Sequence, residues 1–429
     1  MLTRDQNETL CRITSGAPMG DLVRRFWLPA LLSEELAEPD CPPVRVRLMG
    51  EDLVAFRDTS GNVGLVANNC PHRGASLFFG RNEEEGLRCV YHGWKYDLSG
   101  ACVDMPNEPP ESNFKHKIHL TAYPTRERSG LIWAYMGPLE LQPAEPPAFE
   151  WNMVPQDHVV LSRTLQESNW VQAVEGGIDS SHVSFLHSRF ETQPVNLGGG
   201  PVLTKYMKGD KHPHFETVET GYGILIGARR NAEDHSYYWR ITQYLLPFYT
   251  MIPGAADPGQ PISGHAWVPI DDENCWRYSV TWRSDRPFTD EERDRILHGH
   301  GIHAEHIPGS YMALRNIRND YLVDREMQKT GNFSGILGTG EQDTACQETM
   351  GPIYDRTKEH LGSADSAIIH MRRVLLWLVK ELQEGHEPEA AIAADAFKVR
   401  SCSIILPRNV VWIQGAQQRL RANSPYVTA

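Results

Sequence analysis

The sequence lacks the features that would place it in a membrane or on nucleic acid. Its apolar runs, such as VLLWLV at 374–379, are far too short to span a bilayer, and its first residues lack the apolar segment of a signal peptide. Lys and Arg total 42 against 55 Asp and Glu, so the formal net charge is −13. Because a strongly acidic protein is a poor partner for nucleic acid or anionic lipid, we expect neither a nucleic-acid nor a membrane partner.

Cysteine is sparse, with eight residues scattered over a chain of 429. That distribution argues against the disulfide framework of a secreted domain and predicts a cytoplasmic location, where thiols stay reduced. The sequence also has no dinucleotide-binding fingerprint and no four-cysteine ferredoxin run. Any electrons that the protein uses must therefore come from a separate protein.

The pattern along the chain predicts an α+β protein of more than one domain. A helical entry at 1–25 precedes short alternating runs over 43–137, which are typical of a small antiparallel barrel or sandwich. The stretch 138–150 is rich in Pro and Glu and is interpreted as a linker. The predicted domains are therefore a small all-β domain at 26–140 and a larger domain at 141–429.

The larger domain is predicted to combine helices with an antiparallel sheet. Residues 168–190 have apolar residues at helical spacing and are interpreted as a helix, with a kink or irregularity expected at Gly176–Gly177. The two β-rich runs of GYGILIGARRNAEDHSYYWRITQYLLP flank NAED, which favours a hairpin. Helices are predicted at 290–299 and 364–385.

Two short boxes in the small domain each carry one cysteine and one histidine. They are Cys70-Pro-His72 and Cys89-Val-Tyr-His92. Zinc fingers pair Cys with Cys and His with His, whereas one of each per box suits a two-iron cluster with both cysteines on one iron and both histidines on the other. A zinc-stabilised binding module and a chance pair of buried Cys–His contacts are the alternatives.

A second group of candidate metal ligands lies in the larger domain. The spacing Asp179-x2-His182-x4-His187 offers two histidines, which alone are weak evidence. Non-haem iron oxygenases bind iron through two histidines and one carboxylate, and Asp343 is the best candidate for that carboxylate. Two glutamates are alternatives by residue type: Glu341 and Glu348.

Taken together, these motifs resemble the large subunit of Rieske non-haem iron ring-hydroxylating oxygenases. Gly74 and Trp94 stand where respiratory Rieske proteins have further cysteines, which matches the oxygenase type. The segments CPHRGASLFFGRNEE, CVYHGWKYD and EQDTACQETMGPIYDR look most like the phthalate 4,5-dioxygenase branch. The resemblance covers nearly the whole chain.

The resemblance implies a Rieske [2Fe–2S] cluster, one mononuclear Fe(II) per subunit and a helix-grip-like catalytic domain. His182, His187 and Asp343 match the iron ligands, and Asp179 matches the acid that bonds a cluster histidine, here His92, across a subunit boundary in a homotrimer or stacked trimers. The implied partners are O2 and an NAD(P)H-dependent flavin and iron–sulfur reductase. Four residues of the same motif are either hydrogen-bonding partners of the ligands or ordinary packing: Asn169, Trp170, Gln172 and Glu175.

The branch implies dihydroxylation of an aromatic carboxylate such as phthalate, isophthalate or a substituted benzoate. A carboxylate favours a bidentate guanidinium in a partly apolar pocket, and Arg240 on a predicted strand is the first candidate, followed by Arg229 and Arg230. Lys205 and Lys208, in a predicted loop, are weaker candidates. A solvent-facing arginine is the alternative interpretation of Arg240. A monooxygenase or O-demethylase on a related aromatic acid is the alternative function, and a Rieske electron carrier is a third.

Overall fold

The protein is described here by a computed structural model over residues 1–190, 201–254, 260–422 and 426. Its helices are α1 (Arg4–Cys11), α2 (Pro18–Val23), α3 (Trp170–Ile178), α4 (Pro201–Gly209), α5 (Asp290–His298), α6 (Arg325–Thr330), α7 (Thr339–Thr349), α8 (Ser366–Gln383), α9 (Glu389–Ile392) and α10 (Trp412–Ala416). Its strands are β1 (Trp27–Leu32), β2 (Val44–Leu48), β3 (Glu51–Arg57), β4 (Val63–Ala67), β5 (Arg81–Glu83), β6 (Gly86–Arg88), β7 (Lys95–Tyr96), β8 (Cys102–Asp104), β9 (Thr125–Arg128), β10 (Leu131–Tyr135), β11 (Val159–Gln166), β12 (His214–Thr220), β13 (Gly223–Asn231), β14 (Ser236–Leu245), β15 (Tyr249–Ile252), β16 (Ile262–Pro269), β17 (Cys275–Trp282) and β18 (Cys402–Pro407).

The chain divides into two compact units. The small unit is Ile13–Pro146, and the large unit combines Met1–Arg12 with Pro147–Ala429. The first helix, α1, therefore belongs to the large unit. The domain limits predicted from the sequence at 26–140 and 141–429 stay a prediction. None of the helices in the described part of the chain is long and apolar enough to cross a bilayer.

The small unit is built from short antiparallel strands, as the alternating runs over 43–137 predict. Its sheets have the strand orders β1-β10-β9, β2-β3-β4 and β5-β6-β7-β8. One apolar core, which includes Phe56, Leu77 and Trp94, lies directly behind the two Cys–His boxes. Burial of these side chains stabilises the part of the small unit that carries the two boxes.

The large unit is organised around an eight-stranded antiparallel sheet, so the α+β class is confirmed. Its order is β11-β17-β16-β15-β14-β13-β12, and β18 pairs with the first half of β14. The predicted hairpin is confirmed as β13 and β14, whose register runs from Gly223 opposite Leu245 to Asn231 opposite Tyr237. Helices α5 and α8 confirm the predictions at 290–299 and 364–385.

Two sequence-based predictions in this unit are wrong. Residues 168–190 do not form one helix, because α3 ends at Ile178 and only a short 3-10 turn at His182–Ser184 follows it. Lys205 and Lys208 lie in helix α4 and not in a loop. Apolar residues keep their helical spacing past residue 178, but the backbone leaves the helix there.

Candidate metal centres

The two Cys–His boxes form a pair of loops with the same backbone hydrogen bonds. In the first loop the Cys70 N–H donates to the Ala75 carbonyl and the Gly74 N–H donates to the Cys70 carbonyl, both at 2.8 Å. The second loop repeats both bonds, at 2.8 and 3.0 Å, among Cys89, Trp94 and Gly93. Gly74 and Gly93 have φ of +75° and +79°, a conformation that glycine adopts without strain. The two loops therefore share the backbone turn that follows each cysteine, although His72 is two residues after its cysteine and His92 is three residues after its own.

The side chains of the two loops converge as a cluster requires. The rings of His72 and His92 lie 4.3 Å apart, and the Cys70 and Cys89 thiols are buried and close enough to interact. The His72 Nδ1 atom is buried and has no hydrogen-bond partner among the described residues. Two thiols and two imidazoles, one of them with a buried ring nitrogen that has no partner, fit the donor set of a Rieske cluster.

Helix α3 packs close to its neighbours at Gly176 and Gly177 because these residues have no side chains. A Cβ added at Gly177 would lie 2.3 Å from the Trp267 ring of β16, and one at Gly176 would lie 2.2 Å from the Gln347 side chain of α7. The predicted kink is therefore wrong: the helix passes through both glycines, which serve close packing. The C-terminal end of α3 is thus held against the sheet and against α7.

The chain turns out of α3 at Asp179, whose carboxylate replaces the missing helical hydrogen bonds. The carboxylate accepts the Ser181 N–H at 2.6 Å and the His182 N–H at 3.4 Å. It also lies 3.2 Å from His182 Nδ1. This local side-chain bonding competes with helix continuation and explains why the helix ends here. Because Asp179 occupies Nδ1, Nε2 is the His182 ring nitrogen that remains to bind a metal ion.

Three donor atoms meet beyond this turn. His182 Nε2 and His187 Nε2 are 3.1 Å apart, and Asp343 Oδ1 of α7 lies 3.5 Å from the first and 3.1 Å from the second. Cis ligands about 2.1 Å from a metal ion stand about 3 Å apart, so the triangle fits the face of an octahedral iron site. The two alternative carboxylates, Glu341 and Glu348, are not part of this group.

The two carboxylates at this site have lowered pKa values, and their negative charge suits a cation. Burial opposes ionisation of Asp343, but the neighbouring His187 and His182 outweigh it and hold the pKa of that carboxyl below its usual value. The pKa of Asp179 is also lowered, because its bonds to His182 and Ser181 outweigh the effect of burial. Both carboxylates are therefore charged at neutral pH.

Gln342 is a functional residue that the sequence analysis missed. Its side-chain carbonyl accepts from His187 Nδ1 at 2.7 Å, and its amide donates to the Ile336 carbonyl at 2.8 Å. It orients His187 as Asp179 orients His182, and such partners commonly govern metal affinity. Helix α7 thus carries a ligand and a ligand's partner at adjacent positions. No spacing rule connects Gln342 to His187, 155 residues away.

Comparison with known proteins identifies the fold and the cofactors together. Residues 26–124 match the family described as "Rieske [2Fe-2S] domain", and residues 134–426 match "LigXa C-terminal domain like". The chain belongs to the Rieske non-haem iron oxygenases. The oxygenase accordingly carries a Rieske [2Fe–2S] cluster and a mononuclear iron.

Curated relatives of the oxygenase span almost its whole length. The phthalate 4,5-dioxygenase oxygenase subunit of Pseudomonas putida is 41% identical over 424 residues, 96% of this chain and 94% of that protein. The 3-chlorobenzoate-3,4-dioxygenase oxygenase subunit of Comamonas testosteroni is 39% identical over 98% of both chains. The 5,5'-dehydrodivanillate O-demethylase oxygenase subunit of Sphingobium sp. is 34% identical over 91% of this chain and 84% of that protein.

A solved structure shares the fold of the oxygenase. Dicamba monooxygenase bound to 3,6-dichlorosalicylic acid superposes with a TM-score of 0.59 over 85% of this chain and 99% of that chain, at 18% identity. The predicted class, a small all-β Rieske domain with a larger mixed catalytic domain, is confirmed.

One of the arginines predicted to bind substrate lies beside the iron triad. Arg240 on β14 is half-buried, donates to Ser180 Oγ at 3.2 Å and lies near enough to His182 for their charges to interact. Arg230 lies on the same face, fully buried, and donates to the Ser180 carbonyl at 2.6 Å. Burial, with a contribution from Arg240, lowers the pKa of Arg230 to about 10. Arg230 therefore holds the iron-binding turn against the sheet.

Arg229 lies elsewhere. It pairs with Trp239, whereas Arg240 pairs with Ala228, and neighbouring pairs along a hairpin point to opposite faces. Arg229 therefore faces away from Ser180 and from the triad, and the structure does not bring it to the site.

The remaining residues of the motif support helix α3 and contact none of the three triad residues in the described bonds. Asn169 caps the helix by accepting the Val171 N–H at 3.1 Å, and Trp170 is fully buried. Gln172 donates to the Gln347 carbonyl at 3.0 Å. Glu175 forms ion pairs that are considered in the Discussion.

Proposed function

We propose that this chain is the terminal oxygenase that dihydroxylates an aromatic carboxylate of the phthalate, isophthalate or substituted-benzoate type. The observation that carries the proposal is Arg240, a half-buried guanidinium beside the iron triad. No described carboxylate lies within 4.0 Å of it; its contacts are Ser180 Oγ and the Met207 sulfur at 3.6 Å. Two relatives whose names specify phthalate and chlorobenzoate support the same substrate class.

The cofactors are assigned to the residues that fit them. Cys70, His72, Cys89 and His92 hold the cluster, and the triad of His182, His187 and Asp343 holds the iron. The iron supplies the dioxygen chemistry when bound. The chain's own side chains orient the ligands, hold the substrate carboxylate on Arg240 and keep the site partly dry.

Replacing Arg240 with methionine tests the substrate assignment. A charge-assisted bond contributes about 1.5–3 kcal/mol, so KM for a benzoate substrate should rise about tenfold to a hundredfold, with a smaller effect on kcat. Steady-state kinetics with reductase and a panel of phthalate isomers and benzoates measures this. Arg295→Met, on the exposed surface of α5, is the matched control. An unchanged KM in Arg240→Met would rule out the carboxylate contact.

Electrons reach the chain from an NAD(P)H-dependent flavin and iron–sulfur reductase, and pass between subunits of a homotrimer or stacked trimers. His92 is partly exposed, and the Asp179 side chain, 20% exposed, can accept a bond from a neighbouring chain while it orients His182. When each subunit contacts the next one head to tail and the last contacts the first, the subunits form a closed ring such as a trimer.

Complementation between two inactive variants tests this relay. Cys89→Ser removes the cluster from one chain and Asp343→Ala removes the iron from the other. Co-expressed mixed oligomers should regain up to about a quarter of wild-type turnover, because some interfaces join an intact cluster to an intact iron. Each variant alone is the control. Inactive mixed oligomers of confirmed composition would show that electrons stay within one chain.

A monooxygenase or O-demethylase is the second candidate, favoured by the relative named as an O-demethylase subunit. The metal ligands are compatible with either reaction, since the substrate's orientation decides which atom is attacked. Turnover under 18O2 separates them: dihydroxylation places two labelled atoms in the aromatic product, ring monooxygenation places one, and O-demethylation places its labelled atom in the formaldehyde that is released.

A further inference from the structure

A groove lies on the face of the large sheet that points away from the iron triad. Its volume is about 320 Å³, and it is bounded by strands β12, β13 and β14 and by residues 408–413. Arg229, the arginine that does not reach the iron site, lines this groove together with Arg408. We propose that the groove is a second binding site, for a small planar aromatic monocarboxylate. The proposal does not depend on the function proposed for the iron site.

Two guanidinium groups are available to an anion in the groove. Their Cζ atoms lie 4.4 Å (Arg229) and 4.9 Å (Arg408) from the centre of the Tyr237 ring. A guanidinium that stacks on a ring keeps its N–H donors in its own plane, directed away from the ring. No described carboxylate lies within 4.0 Å of either group, and one long bond of 3.4 Å joins Arg408 to Asn231.

The walls of the groove are aromatic and apolar. Trp239 and Trp412 stack with centroids 5.2 Å apart and an interplanar angle of 18°. Val218 and Val411, 36% and 55% exposed, form part of the lining. Because Trp239 and Trp412 are only 3% and 4% exposed, a flat ring bound here would chiefly cover the exposed parts of Val218 and Val411.

The charge balance of the groove favours a single carboxylate. Glu216 also lines it and accepts the Trp412 indole N–H at 2.8 Å. Two arginines and one glutamate leave one net positive charge, which a monoanion would neutralise and a dianion would exceed. In a chain of net charge −13, a local reversal of sign is what allows an anion to bind there at all. The volume is at the lower end of the range of small-molecule sites, about 300–1,000 Å³.

Equilibrium binding of 4-fluorobenzoate to the iron-loaded full chain, followed by 19F NMR, tests the proposal. Wild type should bind one equivalent per chain at the groove, in addition to any equivalent held at the iron site. The double variant Arg229→Met/Arg408→Met should bind one equivalent fewer than wild type, with affinity at the groove reduced at least about tenfold. Arg126→Met, which removes an arginine 5.8 Å from the Trp27 ring in the other unit, is the matched control and should bind as many equivalents as wild type. Thermal unfolding measured on each variant establishes that the fold is kept.

Four results would overturn the groove site. These are no bound equivalent in wild type, as many equivalents in the double variant as in wild type, equal competition by inorganic phosphate, and equal affinity for the neutral probe 4-fluorobenzyl alcohol. A change of oligomeric mass in the double variant would make the groove an interface between copies instead. Arg240→Met is expected to remove the other equivalent. If it keeps both, the proposed iron-site contact fails while the groove site stands.

Discussion

Replacing Asp343 with alanine is expected to abolish oxygenase turnover while the visible absorbance of the cluster stays unchanged. Among the described residues, Asp343 is the carboxylate grouped with the Nε2 atoms of both histidines, with Oδ1 3.1 Å from His187 Nε2. Two neutral imidazoles alone hold ferrous iron weakly, and the metal contributes several kcal/mol to lowering the barrier. The loss should therefore be about a thousandfold or more.

The measurement is iron per chain together with turnover. Iron should fall from three atoms, two in the cluster and one in the mononuclear site, to two. The matched control is Glu341→Gln, which changes the alternative carboxylate two positions earlier on α7. That carboxyl is buried, and burial raises its pKa to about 6. Retention of all three iron atoms by Asp343→Ala, or loss of one by Glu341→Gln, would reject the assignment.

Replacing Glu175 with glutamine is expected to destabilise the large unit by about 3–5 kcal/mol, because it uncouples a buried charge network. Glu175 on α3 pairs with Arg356 through both carboxylate oxygens at 3.0 Å and with Arg372 of α8 at 2.7 Å. Arg372 also pairs with Glu359. Arg356 is completely buried, so the substitution leaves it without a counter-charge.

Equilibrium urea unfolding followed by tryptophan fluorescence measures this effect on the free energy of unfolding. Glu326→Gln, an exposed glutamate of α6, is the control and should be neutral. The double variant Glu175→Gln/Arg356→Met should lose less than the sum of the single losses, because the two residues share one interaction. A loss below about 1 kcal/mol in Glu175→Gln would show that the network adds little.

The same network has a defined pH dependence. Burial raises the pKa of Glu175, but Arg356 and Arg372 outweigh it and lower that pKa below its ordinary value of 4.5. The stabilisation is therefore fully present above pH 4.5 and is lost as pH falls below it, when the unfolded chain takes up a proton first. The difference in free energy of unfolding between wild type and Glu175→Gln should shrink as pH falls below 4.5 and should not shrink as pH rises above it.

The parts of the fold and site that the sequence predicted depend on short-range patterns. Alternation and turn residues predicted the hairpin of β13 and β14, and the two Cys–His boxes predicted the paired loops. The His182 and His187 spacing, with Asp343 added by resemblance, predicted three donors that the structure brings together. Each of these signals lies within one segment or belongs to a family motif.

The incorrect predictions concern features that are set by contacts in the folded chain, which no local sequence pattern shows. Apolar periodicity runs on past Ile178, but the bonds of the Asp179 carboxylate to the next turn end the helix. Arg229 and Arg240 have similar sequence surroundings, and only the register of the hairpin places them on opposite faces. Gly176 and Gly177 looked like a break because glycine weakens a helix, whereas the Trp267 ring leaves no room for a side chain at Gly177.

The division of the large unit along the chain has a consequence for the order of synthesis. Its first helix, α1, is made before the whole of the small unit, yet Asn7 and Cys11 contact Arg356, which is synthesised about 345 residues later. At about 5–20 residues per second, α1 leaves the ribosome roughly 17–70 seconds before this partner. The small unit is complete by Pro146 and can mature meanwhile. During that interval Leu10 and Cys11 lack the part of the large unit that buries them, so α1 stays without its packing partner until most of the chain has been made.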